Sequence, residues 1–429
     1  MKDFLKRILG EGQESGGERS EVVAEVEKVE GEKVAGEAMP KMCLFFEAHQ
    51  PNRLKPYSFF DIGQDPFYED DELNRRILER VSGKCYLPAN ALFRRLIEET
   101  GGDFCFSMST SGVFLEQMEH HRKDVLESFQ SLVGTGKVEL LGETYYHSMG
   151  YHRSQEEFRE QVELQLSKLK EVFGAEPRVY RHTEQVYFNE LASYMEKMGF
   201  VGMLGEGVER VLKGRPANHV YRSPNVESLR VLLRAGGLSD DVGYRFSNEG
   251  WSEYPLSPAT FADWCVASGG DVVNLQLDYE TIGEHQGVES GIFEFWEGFV
   301  REWLERGGEF VTVSEAFEEF EVFGEYDCHE PTSWADWEKD LSPWKGNNMQ
   351  EEARRKILVI EKAVKAKDDE ELLHQWRKMQ TSDHFYYMST KGGEAGEVHD
   401  YFRPYDSAYD AYLYFMNALS DLQLRVEGD

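Results

Sequence analysis

Short apolar runs alternate with helix-like stretches from residue 42 to residue 313, and this alternation constrains the fold more than any other feature. Seven or eight runs have the length of a strand, and most are separated by segments whose apolar residues recur at helical spacing. Such alternation predicts a parallel sheet, and this many units predicts a closed or nearly closed barrel. The runs are 42–46, 103–108, 138–141, 178–181, 200–204, 229–233, 271–277 and 310–313.

The two ends of the chain differ from this pattern. Residues 1–40 are dominated by Glu, Gly, Lys and Val, and we predict a disordered or loosely helical extension there. Beyond about residue 340, helical spacing replaces the alternation, in the ranges 349–365, 370–379 and 408–425. We therefore expect a barrel over 41–335 and a C-terminal helical subdomain over 336–429 that completes a cleft on the barrel.

Composition excludes several classes of protein. The 429 residues carry a formal net charge of −33, which argues against binding a nucleic-acid backbone, because that requires clustered Lys and Arg. Such acidity is typical of a soluble protein kept apart by self-repulsion, and adaptation to a salty interior is the alternative. No run of about 18 apolar residues is present, so we expect no membrane span.

Five cysteines occur at wide spacing, and no two of them form a CxxC pair. A zinc ribbon or a dithiol redox motif is therefore not expected. Free thiols suit a reducing compartment, and the N-terminus lacks the apolar core of a secretory signal. Together these features predict a cytoplasmic protein.

Polar residues concentrate where the predicted strands end. They are His49, Glu143, Glu184, Asp278 and Glu280. If the strand over 271–277 continues to residue 280, Asp278 and Glu280 share a face, because strand side chains alternate between faces. Two carboxylates at different strand ends that face one cavity match the needs of glycoside hydrolysis. The competing interpretation is a solvated surface group, since the chain has 80 Asp and Glu residues.

Five ordered segments carry a resemblance to a known family. They read HQP at 49–51, GKVELLGETYYHS at 136–148, RHTEQVYF at 181–188, LDYETIGEH at 277–285 and TSDHFYYM at 381–388. In order and spacing they resemble the motifs of glycoside hydrolase family 57. The resemblance implies an α/β fold built as an incomplete (β/α)7 barrel followed by a helical region. It also implies retaining action on α-1,4-glucans without a metal or other cofactor.

The resemblance also suggests roles for single residues. Glu184 matches the nucleophile of the family and Asp278 its general acid/base. Four further residues match positions that shape the subsite around the scissile bond, namely His49, Glu139, Glu280 and Asp383. The sequence of the third motif is most similar to that of the α-amylase subgroup. This similarity predicts an α-glucan substrate, namely starch, glycogen or maltooligosaccharide. A 4-α-glucanotransferase and a catalytically silent glucan-binding protein are the alternatives.

Other residues allow two interpretations. Trp334, Trp337 and Trp344 either stack on sugar rings or fill the junction between the barrel and the helical region. His147 and His152 either bind sugar hydroxyls or are buried, hydrogen-bonded histidines. A metal site around Glu284 and His285 is poorly supported because no HExxH motif is present. A polysaccharide deacetylase would need a metal-binding Asp and His pair on strand ends, and this sequence has no His-x-x-x-His spacing near Asp278.

Overall fold

A computed structural model of the chain describes residues 39–428. The predicted extension over 1–40 therefore lies outside the described residues except for its last two. The strands β1 to β9 span, in chain order, Lys41–Ala48, Phe106–Thr110, Val138–Leu140, Val179–Tyr180, Gly202–Glu206, Val220–Arg222, Arg230–Arg234, Val272–Asp278 and Gly324–Glu325.

Seven parallel strands form a closed ring. One sheet has the order β3-β2-β1-β8, and the other begins β4-β5-β7. A parallel bridge between Gly142 and Tyr180 joins β3 to β4. On the other side, the backbone N–H of Ala235 donates to the carbonyl of Asn274 at 2.8 Å and joins β7 to β8. The predicted α/β barrel of seven units is thereby confirmed.

Two short strands extend the second sheet beyond the predicted set. β6 pairs antiparallel with the first part of β7, and β9 pairs parallel with β6. The predicted run at 310–313 contributes only one bridge, between Met42 and Phe310. Thr312 and Glu315 form a capping box that starts a helix at Val313, so the chain cannot continue there as a strand.

Helices surround the ring and continue beyond it. Hydrophobic residues on the outer faces of β1, β2 and β8 pack in one core with helices between residues 71 and 133 and with the helices Pro258–Ala267 and Ile292–Glu305. Within the described residues the α-helices span Asp71–Val81, Leu87–Glu99, Gly112–His121, Lys123–Val133, Gln155–Phe173, Asn189–Lys197, Glu209–Leu212, Gly236–Asp240, Pro258–Ala267, Ile292–Glu305, Val313–Glu319, Ser342–Lys345, Asn348–Val359, Glu361–Ala366, Glu370–Lys378, Ser382–Tyr386, Gly393–Phe402 and Ala408–Glu427.

The helices after residue 341 share a second core with the outer faces of β4, β5 and β7. Trp376, Phe415 and Leu422 are fully or nearly fully buried in it. The C-terminal helix Ala408–Glu427 is fixed by the buried Asp421, which accepts from the Tyr68 hydroxyl at 2.8 Å. None of the helices within residues 39–428 combines the length and the apolar character that a bilayer crossing requires.

Candidate active site

Charged side chains form the uppermost interior layer of the barrel. Five of them follow, by two positions, the apolar residues Phe45, Leu141, Val179, Leu204 and Leu232, which pack together inside the ring. Because strand side chains alternate between faces, the charged residues also point inward, one step nearer the carboxyl ends of the strands. With Asp278, which lies beside Glu47 in register, the layer comprises Glu47, Glu143, Arg181, Glu206, Arg234 and Asp278.

Ion pairs within this layer leave one carboxylate weakly partnered. Arg181 is fully buried and forms a two-pronged ion pair with Glu47. The same guanidinium is 3.5 Å from Glu143, which is also fully buried. Neither oxygen of Glu143 accepts a hydrogen bond from the residues that the structure describes. The layer therefore has unbalanced negative charge on the side where β3 and β4 end.

Glu184 lies in the short turn Thr183–Gln185 that follows β4. Its backbone is left-handed, with φ 59° and ψ 27°, which is uncommon for a residue other than glycine. The indole N–H of Trp334 donates to Oε2 at 3.0 Å, and the Ser382 hydroxyl donates to Oε1 at 3.2 Å. The side chain keeps 20% exposure, so the carboxylate faces the cleft above the barrel.

His147 lies beneath Glu184 and is almost completely buried. Its Nε2 is 3.5 Å from Oε1 of Glu184, and its Nδ1 is 3.4 Å from Glu47 and 3.6 Å from Glu143. Burial disfavours the charged imidazole, but these three carboxylates raise the pKa of His147 well above its ordinary value. The three carboxylates therefore favour the protonated form of His147, whose positive charge offsets the excess negative charge on this side of the layer.

The two carboxylates expected to do the chemistry have pKa shifts of opposite sign. Burial opposes ionisation of Glu184, but hydrogen bonding and the charge of His147 outweigh it, so the pKa of Glu184 lies below its ordinary value. Burial and the negative charge of Glu184 raise the pKa of Asp278 to about 6. Both residues line the same cleft. Between the lowered pKa of Glu184 and about pH 6, the site therefore presents one ionised and one protonated carboxyl group.

His49 and Asp383 come from opposite ends of the chain and meet at the cleft. His49 Nε2 is 3.1 Å from an Asp383 oxygen, and its Nδ1 is 2.6 Å from the Ser111 hydroxyl. The His49 ring stacks on the His147 ring with centroids 3.9 Å apart. Burial and the charge of His147 lower the pKa of His49 below its ordinary value.

Glu280 faces the cleft from a turn and not from the strand on which it was expected. β8 ends at Asp278, and Tyr279–Thr281 forms a 3₁₀ turn, so strand alternation does not continue to residue 280. The Tyr86 hydroxyl donates to Glu280 at 2.5 Å, and the His49 backbone N–H donates to it at 3.4 Å. Burial and the nearby Asp278 raise the pKa of Glu280 to about 8.

Glu139, which was expected to contact the substrate, lies lower in the barrel. Its carboxylate accepts from the hydroxyl of Ser107 at 2.7 Å and from the backbone N–H of Ser314 at 3.1 Å. It precedes Glu143 by four residues, or about 13 Å along the strand direction. The structure therefore brings Glu143, and not Glu139, to the top layer.

The three tryptophans have three different environments. Trp344 is buried in the second core, in agreement with the packing interpretation. Trp337 is 82% exposed at the rim of the cleft. Trp334 lies within the cleft wall, with its indole N–H on Glu184 and the Arg181 guanidinium 5.0 Å from its ring centroid. The side chain of His152 is outside what the structure describes.

Two groups within residues 39–428 have enough donor atoms to suggest a metal ion, namely His49–His147–Asp383 and Glu47–Glu143–His147. In the first group the two imidazole rings stack at an interplanar angle of 17°, so their in-plane lone pairs run parallel and do not converge. In the second group the Arg181 guanidinium already supplies a cation to both carboxylates. Neither geometry favours a metal centre.

Comparison with known proteins agrees with this architecture. The profile of glycosyl hydrolase family 57 matches residues 43–328. The chain belongs to glycosyl hydrolase family 57. All the polar strand-end residues named from the sequence fall within the matched range, whereas Trp334, Ser382 and Asp383 lie beyond it. The part of the cleft wall formed by these three residues therefore lies outside the family 57 match.

One relative of this family 57 chain, from Methanocaldococcus jannaschii, is named "Putative alpha-amylase" and is 38% identical over 399 residues, or 89% of this chain and 84% of the relative. A branching enzyme from Thermococcus kodakaraensis shares the fold with a TM-score of 0.61 at 14% identity, over 85% of this chain and 87% of that one. A 4-alpha-glucanotransferase from Thermococcus litoralis aligns with a TM-score of 0.60 at 16% identity, over 81% of this chain. This chain covers only 56% of that enzyme's length.

Sequence reasoning missed Glu47 and Arg234, and it left His147 and Trp334 undecided. Strand alternation offered a signal for the first two, because each follows an apolar interior residue by two positions near the end of a strand. His147 and Trp334 lie in loops, where no periodicity shows which way a side chain points. Their contacts with Glu184 depend on tertiary structure.

Proposed function

We propose that this chain is a retaining glycoside hydrolase that acts on α-1,4-glucans as an α-amylase does, with Glu184 as nucleophile and Asp278 as general acid/base. One observation carries the proposal: two carboxyl groups face one cleft with pKa shifts of opposite sign. A nucleophilic carboxylate has to be ionised, and a proton donor has to be protonated.

The proposed reaction has two steps. Glu184 attacks the anomeric carbon while Asp278 transfers its proton to the departing glycosidic oxygen, which leaves a glycosyl-enzyme. Asp278 then accepts a proton from water as the water oxygen attacks the anomeric carbon and Glu184 departs as a carboxylate. Both displacements invert the anomeric centre, so the product retains the α configuration.

Starch-like glucans are the proposed substrate class, supported by the name of the 38% identical archaeal relative. His49, Glu280 and Asp383 line the cleft beside the two carboxylates, and we assign them to the subsite around the scissile bond. Asp383 and Ser382 come from the helical region over 336–429, which supports a role for that region in completing the cleft. Five buried, unpaired thiols support a reducing cytoplasmic location.

Glu184→Gln and Asp278→Asn test the assignment, with product profiles measured on maltooligosaccharides of several lengths. Each variant is expected to lose activity by at least about 1,000-fold while its circular dichroism stays unchanged. Glu289→Gln is the matched control, because this exposed carboxylate lies on the same segment as Asp278. Full activity in either of the first two variants would contradict the proposal.

The same assay separates water from a sugar hydroxyl as the acceptor. A hydrolase yields only shorter oligosaccharides from maltoheptaose, and proton NMR shows the α anomer first. Chains longer than maltoheptaose would instead indicate a 4-α-glucanotransferase. Tight binding of glycogen by an inactive wild-type protein would indicate a catalytically silent glucan-binding protein.

A further inference from the structure

The loop over residues 333–339 lines the cleft and comes from a part of the chain that the family match does not reach. Two backbone hydrogen bonds between Thr332 and Tyr187, at 3.0 and 3.1 Å, join this segment to the chain just after Glu184. The backbone N–H of Trp334 donates to the carbonyl oxygen of Glu184 at 3.3 Å. The loop is therefore joined to the turn that carries Glu184 over several consecutive residues.

That turn needs external support. Glu184 and Gln185 both have positive φ, at 59° and 54°, and each such residue costs about 1–2 kcal/mol. Conformations of this kind persist only where surrounding structure holds them. The contacts from Thr332 and Trp334 are such support, and they fix the point from which the Glu184 side chain leaves the backbone.

The indole of Trp334 is oriented from two sides. An indole N–H is a donor only, so at 3.0 Å from Glu184 Oε2 it interacts best with an ionised carboxylate. The Arg181 guanidinium lies 5.0 Å from the centroid of the ring, within the range of a cation–π contact. Arg181 is itself held by its ion pair with Glu47, so the Trp334 ring packs on a guanidinium whose position is fixed.

Buried ion pairs hold the outer part of the loop. The side chain of Asp336 is 4% exposed, and it lies 2.7 Å from Lys391 Nζ and 3.4 Å from His399 Nε2. Lys339 donates to the carbonyl oxygen of Trp334 at 2.7 Å, and Arg210 donates to the Lys339 carbonyl at 2.7 Å. The loop is therefore held by contacts at both its inner and its outer part.

We propose that Trp334 is a positioning residue that holds the Glu184 carboxylate ionised and aimed at the anomeric carbon, and that the Asp336 ion pairs keep Trp334 in place. This inference rests on the proposed role of Glu184. The competing interpretation is that Trp334 only fills space in the cleft wall. The two interpretations differ in whether activity depends on the indole N–H of Trp334.

Trp334→Phe tests the inference in the full-length protein, because it keeps an aromatic ring and removes the N–H. The loss of one hydrogen bond to a charged group is expected to lower kcat about 10- to 100-fold, with KM within about 3-fold of wild type. The acid limb of the kcat/KM profile is expected to move to higher pH, because ionised Glu184 loses a donor. The other groups that face Glu184 stay in place: His147, Asp278, Ser382 and Asp383.

Trp296→Phe is the matched control. Trp296 is fully buried in the first core, away from the cleft, and its indole N–H has no acceptor among residues 39–428. The same atoms are lost, but no bond to Glu184 is broken. The inference is overturned if Trp334→Phe keeps kcat within about 3-fold of wild type, if its loss equals that of Trp296→Phe, or if its acid limb stays in place.

A second variant covers the case in which Trp334→Phe does not fold. Asp336→Asn keeps the indole and weakens the ion pair to Lys391 and the contact with His399. It is expected to lower kcat and to move the acid limb in the same direction, by less than Trp334→Phe. Unchanged kinetics would overturn the inference. An inactive wild type would instead refute the proposed function, so the two failures are distinguishable.

Discussion

In the proposed mechanism Glu184 is the nucleophile and Asp278 the general acid/base, although their side chains are chemically similar. Burial and the charge of Glu184 raise the pKa of Asp278 to about 6, and the proposed first step needs this group protonated. We predict that kcat/KM falls as pH rises through about 6, because Asp278 then loses the proton it must donate. On the acid side, kcat/KM falls only when Glu184 becomes protonated, below the ordinary pKa of glutamate. Initial rates on maltoheptaose from about pH 3 to about pH 9 measure both limbs.

The charge of Glu184 contributes to the raised pKa of Asp278, so removing that charge tests the explanation in a second way. In Glu184→Gln the pKa of Asp278 is expected to fall, as observed by carbon NMR of labelled aspartate with Asp278→Asn as the assignment reference. Glu289→Gln removes a charge of the same sign from an exposed site and should leave the Asp278 signal unchanged. An Asp278 pKa that stays near 6 in Glu184→Gln would contradict this explanation.

At the residue scale, sequence predicted that Asp278 and Glu280 lie at the cleft, but the backbone that carries Glu280 and the depth of Glu139 in the barrel differ from the expectation. Alternation along β8 places Asp278 inward, and the strand ends there, so Glu280 depends on the turn that follows. Glu139 matched a family motif, but its position along β3 places it below the cleft. Motif order identifies residues, whereas the distance from the end of the strand decides which of them reach the cleft.

Among the elements, the turn after β8 contains a position where only glycine fits without a clash. Gly283 has φ 103°, and a Cβ atom there would lie 2.0 Å from the backbone carbonyl oxygen of Lys84. Lys84 belongs to the π-helical turn Ser82–Tyr86, which also carries the Tyr86 hydroxyl that contacts Glu280. We predict that Gly283→Ala lowers the free energy of unfolding by at least about 3 kcal/mol and reduces activity. Urea unfolding and kcat measure the two effects.

Gly291 supplies the matched control for that prediction. It has φ 80°, but a Cβ atom there would meet nothing within 4 Å. Gly291→Ala therefore carries the conformational cost alone, about 1 kcal/mol, and should leave kcat unchanged. Equal losses of stability in the two variants would contradict the prediction, because they would show that the clash with Lys84 does not lower the free energy of unfolding.

Elements with strong periodicity were predicted well, and elements fixed by distant partners were not. β1 and β8 read directly as apolar strands, and helix Ala408–Glu427 follows the predicted pattern closely. β6 and β9 have three and two residues, too few for a period to show. β6 exists because β7 offers it a pairing edge, and β9 exists because β6 does the same. The predicted strand at 310–313 gave way to a local capping box.

At the scale of the whole molecule, the site joins parts of the chain that are far apart in sequence. Ser382 and Glu184 are separated by 198 residues, and His49 and Asp383 by 334. Composition and periodicity contain no information about which helix reaches which strand end. The helical region was therefore predictable as helical, while its contacts with Glu184 and His49 were visible only in the folded chain.

Net charge is the other property of the whole molecule with a measurable consequence. A formal charge of −33 on 429 residues makes the folded chain repel itself, and salt screens that repulsion over about 10 Å at 0.1 M. Exposed pairs such as Arg95–Glu297 and Arg301–Glu99 also weaken in salt, but each contributes only about 0–1 kcal/mol. We therefore predict that the unfolding temperature rises by about 2–5 °C between 20 and 500 mM NaCl.

Differential scanning calorimetry at pH 7 measures this rise, and choline chloride is the control salt. Screening depends on ionic strength and not on the identity of the cation, so choline chloride should raise the unfolding temperature as far as NaCl does. A rise with NaCl alone would indicate sodium binding to a specific acidic site. A fall with both salts would mean that attractive pairs outweigh the repulsion of the excess negative charge, which would contradict the prediction.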